Sequence, residues 1–402
     1  MTASRVRWWI LALLFFGTTI NYLDRIVLGT LVPDIRRDLQ ITDKEYGFIT
    51  SAFQAAYTLG FLYMGTFVDR FGSRIAYAIA AVGWSIAAGL HMFAASAFQL
   101  GIWRALLGLC ESCNFPAAIK SVAEWFEGKD RAFATGVFNS GTNVAATIGP
   151  PVLVYLSARY GWRACFLLTA SLGIVWVLAW LRIHPPITPA ARARSTGLTW
   201  SQAATLRPAW GFALGKFFSD PAWWFYLFWL PLYLHDVRKL DMQTVGWALL
   251  VVYLSASVGS VAGGWLSGVW IRRGWPALRA RKLTMLLCAS CMPFAALGVL
   301  APDVTTAVLL FSLATAAHQG WSANLFTTVS DTVPQNAVGA VTGIGGFAGG
   351  VGGFLFSGLI PGYVITTFGY TPVFLSMGVF YFIGLFAVHR LMPRGAGPRP
   401  AN

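Results

Sequence analysis

Apolar stretches of about twenty residues, the length that crosses a bilayer, recur from one end of this chain to the other. That recurrence limits the fold more than any motif does. In lipid, only helices and closed barrels satisfy all of their backbone polar groups. The stretches are continuous rather than alternating, which argues against a barrel. Twelve runs can be drawn, at roughly 8–33, 45–68, 74–95, 98–123, 131–157, 163–183, 210–234, 244–271, 283–300, 304–330, 337–366 and 370–392. The expected class is an all-α membrane protein of twelve transmembrane helices. Composition agrees: 11% of residues are charged, against ~25% in a soluble domain. The first run is too long for a signal peptide, and no small-residue cleavage site follows it.

The net charge of +14 would suit nucleic acid, but its distribution does not. Of 29 Lys and Arg, 18 fall in the N-terminus, the even-to-odd loops and the C-terminal tail; seven fall in the other loops. Cytoplasmic loops collect Lys and Arg. Both termini are therefore expected inside, the basic excess is topological, and no nucleic-acid partner is expected. Two C-x-x-C spacings, Cys110/Cys113 and Cys288/Cys291, lie inside apolar spans with no His close by in sequence. They read as small residues at helix contacts rather than as metal or redox sites.

The segment after run two carries Gly65, Asp69, Arg70, Gly72 and Arg74; that after run eight carries Gly264, Gly268, Arg272, Arg273 and Gly274. The opening glycines are 199 residues apart, about half the chain, which marks a duplication of six helices. The expected organisation is a first bundle over 1–183, a cytoplasmic linker over 184–209, a second bundle over 210–394 and a tail over 395–402.

The pattern G-x-x-x-D-R-x-G-x-R after the second of twelve helices resembles the signature loop of the major facilitator superfamily, over about residues 6 to 394. The resemblance implies two pseudo-symmetric six-helix bundles that rock about a midplane site. It also implies a gating role for Gly65, Asp69, Arg70 and Arg74. The second copy departs from it, with Gly268 where Asp is expected. Within the superfamily, "TTINYLDR", "RALLGLCESCNFPAAIKSVAEWF", "FNSGTNVAATIGPP" and "HQGWSANLFT" look like the anion:cation symporter family, and most like its bacterial hexuronate and sugar-acid transporters.

Of fifteen acidic residues, Asp24, Glu111 and Asp220 fall well inside spans. Each ionisable group there costs ~2.5–3.5 kcal/mol on insertion scales and is a functional candidate by default. Asp24 and Arg25 are helical neighbours about 100° apart, so each needs its own partner. Arg104, Gly108 and Glu111 share one face of run four. At 1.5 Å per residue, Arg104 lies ~8 Å, Asp24 ~14 Å and Glu111 ~18 Å from the outer ends of their runs. They share a layer if runs one and four adjoin, as the resemblance implies.

A carboxyl in a low-dielectric cavity can exchange protons near neutral pH. A guanidinium stays charged and grips a carboxylate through two parallel hydrogen bonds. Asp24 and Glu111 are thus the expected proton carriers, and Arg25 or Arg104 the expected anion contact. The bland alternative is a structural ion-pair network, and Arg104 in particular could serve only to orient Glu111. Lys216 and Asp220 are spaced for an i,i+4 pair, with Pro221 expected to kink or break the helix. Hydroxyls, amides and aromatic faces that suit a sugar include Tyr22, Tyr57, His318, Gln319, Trp321, Ser322 and Asn324. The resemblance singles out Tyr22, Tyr57 and Trp321 as substrate contacts. In run five, Asn139 and Thr142 both remain open. Run eleven has ten glycines in the 24 residues 339–362, which suits either a flexing gate or close static packing.

The expectation is a proton-coupled importer of a hexuronate, working by alternating access as a monomer in a bacterial inner membrane. Its partners would be a small carboxylate and the bilayer, with no cofactor beyond the coupling proton. A symporter for galactonate, an aromatic acid or a dicarboxylate is the alternative. A membrane sensor lacks a signalling domain, and an enzyme lacks a nucleophile–base set or metal ligands.

Overall fold

The computed structural model describes residues 3–186 and 197–392. The centre of the expected linker (187–196) and the expected tail (395–402) lie outside them. All twelve expected runs are helical, and no strand occurs among the described residues. The helices are α1 (Ala3–Leu39), α2 (Asp43–Leu90), α3 (Ala97–Glu111), α4 (Asn114–Trp125), α5 (Gly128–Tyr160) and α6 (Trp162–Ile183). They continue as α7 (Arg207–Leu232), α8 (Met242–Arg272), α9 (Ala277–Cys291), α10 (Phe294–Leu300) and α11 (Val304–Thr332). The last are α12 (Val338–Gly353), α13 (Ile360–Phe368) and α14 (Thr371–Leu391). Seven helical stretches among the described residues are long and apolar enough to cross a membrane. Helices α5, α7 and α11 are not among them; these carry Asn139, the Lys216–Asp220 pair and the 318–324 cluster.

Where helices and runs differ, local chemistry explains it. The expected loop after run two is helical: α2 spans runs two and three, broken only at Gly72 (φ 79°, ψ 158°), a conformation that favours glycine. Run four is two helices. Pro116 lacks the N–H that would bond the Ser112 carbonyl and crowds it, so α3 ends at Glu111 and α4 starts at Asn114. Pro293 likewise separates α9 from α10. Pro221, by contrast, lies inside α7 without ending it, so of the expected kink or break the break does not occur. Helix starts are capped from the sequence. Thr42 and Glu45 form a reciprocal box on α2, and Asp303 accepts from Thr306 N (2.8 Å) on α11.

The chain divides into two compact units: 1–125, 141–200 and 336–343 in the first; 126–140, 201–335 and 344–402 in the second. The first half of α5 thus belongs to the second unit, and the start of α12 to the first. In the first unit, α2 packs against α6 through a stack of Tyr77, Trp84, Trp176 and Trp180. Cys110 Sγ fills the space beside Gly83, as expected of a helix-contact cysteine. Beyond α6, burial pushes the His184 imidazole pKa down to about 4, so it is neutral and accepts from Trp125 Nε1 (3.3 Å).

Candidate functional site

The first unit holds a charged cluster between α1 and α3. Arg25 Nε donates to Glu111 Oε2 at 2.6 Å, and its Nη2 donates to Asn21 Oδ1 at 3.0 Å. Both partners of the ion pair are buried, Glu111 completely. The geometry follows from helical spacing: Asn21 is one turn before Arg25 on α1, so it braces the guanidinium from its own helix. Aromatic faces close round the cation. The guanidinium carbon lies 4.1 Å from the Tyr57 ring centroid and 4.6 Å from that of Tyr22, with Phe53 at 5.5 Å.

Asp24 points elsewhere, as the 100° offset requires. It is 1% exposed and faces Thr169, Glu111, Arg104 and Arg25. The Thr169 hydroxyl faces its carboxylate, but neither carboxylate oxygen makes a hydrogen bond of full geometry among the described residues. The Arg25 Nη1 and Glu111 Oε1 atoms are also buried without a partner there. A buried polar group left unpaired is costly, so this concentration of them makes the cluster the candidate site. Arg104 donates to the backbone carbonyls of Asp24 (3.4 Å) and Arg25 (3.1 Å). It therefore ties α3 to α1 through both terminal nitrogens, while its Nε has no partner among the described residues.

The second unit gathers the other expected contacts. Asn139 Nδ2 donates to Gln319 Oε1 at 2.7 Å, while Thr142 belongs to the first unit and donates to Asn143 Oδ1 (3.4 Å). His318 pairs with the Tyr381 hydroxyl, which in turn donates to the Ser219 carbonyl (3.2 Å), and stacks on Trp223. Trp321 is fully buried, edge-on to Tyr381, and Ser322 is buried beside it on α11. Lys216 and Asp220 form the expected i,i+4 pair at 2.7 Å, with the ammonium 4.3 Å from the Phe326 ring.

The signature residues are placed by backbone chemistry. Asp69 is buried, pairs with Lys120 (2.7 Å), and accepts from Gly339 N (3.0 Å) and Ala340 N (2.7 Å) at the start of α12. A carboxylate at a helix start satisfies orphan amides and opposes the positive end of the dipole. Glycines at 65 and 339 make this possible, since a Cβ on either would overlap the other's carbonyl. Arg74 caps the close of α6, donating to His184 O (2.7 Å) and Leu181 O (2.8 Å). Arg70 is exposed.

In the second unit, where Gly268 replaces Asp, the work passes to residues the sequence reading missed. Arg281 is fully buried and donates to Asp331 (3.2 Å), Ser267 Oγ (2.6 Å) and Gly128 O (2.5 Å). Arg131 joins Asp331 (3.3 Å) and Ser330 O (2.8 Å). The available signal was Asp331, an acid at the end of α11 in a stretch that carries no Lys or Arg.

Residues 14–357 match the family described as Major Facilitator Superfamily. The hexuronate transporter of Escherichia coli (strain K12) is 29% identical over 403 residues, covering 95% of this chain and 93% of that protein. The D-galactonate transporter of Escherichia coli O6:H1 is 29% identical over 409 residues, covering 95% and 94%. Among solved structures, the proton:xylose symporter XylE bound to 6-bromo-6-deoxy-D-glucose superposes with a TM-score of 0.77 at 14% identity, covering 97% of this chain and 96% of that one.

Proposed function

Because this chain belongs to the Major Facilitator Superfamily, we propose that it imports a sugar-acid anion together with protons, and that a hexuronate is its substrate. The observation that carries the reading is the Arg25–Glu111 pair beside a buried Asp24 that no cation among the described residues pairs with directly. Arg25 keeps a terminal nitrogen, Nη1, without a partner among the described residues, whereas both terminal nitrogens of Arg104 are engaged and only its Nε is left over. A substrate carboxylate and the Glu111 carboxylate compete for that guanidinium. Protonating Glu111 removes its claim and leaves the fork open to the incoming anion, in the bidentate geometry that arginine favours. Deprotonation restores the internal pair and expels the anion. Tyr22 and Tyr57, which flank the cation, supply hydroxyls and ring faces for the sugar body.

Substrate class is supported by the relatives named above, a hexuronate transporter and a D-galactonate transporter. The second of these favours an aldonate as the alternative substrate. Both carry the carboxylate that the mechanism needs, and a neutral hexose does not. We expect labelled galacturonate to enter membrane vesicles containing the protein. A tenfold excess of unlabelled glucuronate should suppress that entry strongly, and the same excess of galactose should not. Uptake of galactonate alone would move the substrate to the aldonates. Uptake of galactose in preference to either acid would overturn the reading.

A further inference from the structure

Away from the charged cluster, α9 and α14 of the second unit enclose an open groove of about 1110 Å³. One end of it is strongly basic. Arg279 and Lys282 come from the first turns of α9, and His389 and Arg390 from the last turn of α14. No acidic side chain lines the groove. Arg279 lies over the Trp275 ring (4.7 Å) and Arg390 over the Phe386 ring (5.2 Å). Lys282 donates to the Met392 (2.5 Å) and His389 (3.4 Å) carbonyls that end α14, which ties the two helices together at the basic mouth.

The rest of the groove is apolar. Leu286 on α9 and Phe382 on α14 line it and are each 41% exposed. They lie seven and eight residues from Arg279 and Arg390, so the apolar floor runs ~10–12 Å from the basic mouth. The mouth is at the end of the unit that the Lys and Arg distribution assigns to the cytoplasm. An interfacial tryptophan, stacked guanidinium groups and an apolar trough of that depth match one kind of molecule. It must have an anionic head and hydrocarbon chains.

We propose that this groove binds an anionic glycerophospholipid of the cytoplasmic leaflet. The phosphodiester sits among Arg279, Lys282 and Arg390, and the first methylenes of its chains lie along Leu286 and Phe382. A zwitterionic lipid brings its own ammonium to the same place and gains less. The site shares no residue with the charged cluster, so the proposal stands or falls separately from the identity of the transported substrate.

The test is native mass spectrometry of the full chain in detergent, with dioleoylphosphatidylglycerol or dioleoylphosphatidylcholine added at equal concentration. The expected result is preferential retention of phosphatidylglycerol. In the double variant R279Q/R390Q retention should fall by at least about tenfold, since each basic residue at a membrane surface contributes measurably to anionic-lipid binding. Melting temperatures in detergent alone show whether the variant is folded. If it is not, competition between the two lipids on the unaltered chain decides the matter. Equal retention of the two lipids, undiminished phosphatidylglycerol on a folded double variant, or an equal thermal shift from inorganic phosphate alone would each overturn the proposal.

Discussion

Arg25→Gln is expected to abolish hexuronate uptake, by at least about 100-fold, and to destabilise the protein as well. The two effects have different causes. Glu111 is fully buried and Arg25 is its ion-pair partner. Removing one member of a buried pair leaves the other charge uncompensated, at a cost of about 3–5 kcal/mol. The transport loss has a separate origin: Arg104, the other cation of the cluster, has both terminal nitrogens on the Asp24 and Arg25 carbonyls and only its Nε left over. The double variant R25Q/E111Q separates the two. It removes the orphaned charge, so its melting temperature should return most of the way to that of the unaltered protein, while uptake stays absent. Recovery of uptake in the double variant would show that Arg25 serves only to neutralise Glu111, and would refute its role as the anion contact. Arg25→Lys is a weaker perturbation. An ammonium can pair with Glu111, but it cannot also brace on Asn21 and stack flat between Tyr22 and Tyr57.

Asp24→Asn should uncouple the protein without unfolding it. The carboxylate is buried with Thr169 facing it but no hydrogen bond of full geometry among the described residues, so replacing it with a neutral isostere removes a desolvation cost. The melting temperature is expected to stay level or rise. Transport should split into two behaviours. If two protons accompany one monoanion, one net charge crosses per cycle, worth ~2.3 kcal/mol at 100 mV, or nearly a 50-fold gradient. The variant should fail to accumulate substrate against a gradient, yet continue to exchange labelled for unlabelled hexuronate across the membrane. Accumulation at the full level in Asp24→Asn would remove this residue from the coupling machinery.

Much of this site was legible in the sequence because the membrane makes ionisable residues conspicuous. Asp24, Arg25, Arg104 and Glu111 stand out against an apolar background, and helical geometry alone separates Asp24 from Arg25 by 100°. The Lys216–Asp220 pair was readable for the same reason, since an i,i+4 spacing is a local property. Partner choice across helices was not local. Nothing in the order of residues says that Arg104 turns to α1 carbonyls while Arg25 takes Glu111. The α3–α4 break was hidden by continuous hydropathy, although Pro116 was its visible cause. Lys120 lies near the inner end of run four, and only tertiary packing shows it meeting Asp69 at the start of α12. The Arg281–Asp331–Arg131 group was the least legible, since its members come from three separate helices and match no motif. In each case the missing information was which faces pack together, not which residues are polar.

The central claim is that protons and the sugar acid enter together through the Asp24–Arg25–Glu111 cluster. It is tested most directly in proteoliposomes carrying an entrapped pH dye, with the membrane potential clamped by potassium and valinomycin. On adding galacturonate outside, the lumen should acidify at a rate that follows substrate entry, and Asp24→Asn vesicles should show no such change. Galacturonate entering at the same rate with the lumenal pH unmoved would contradict the account.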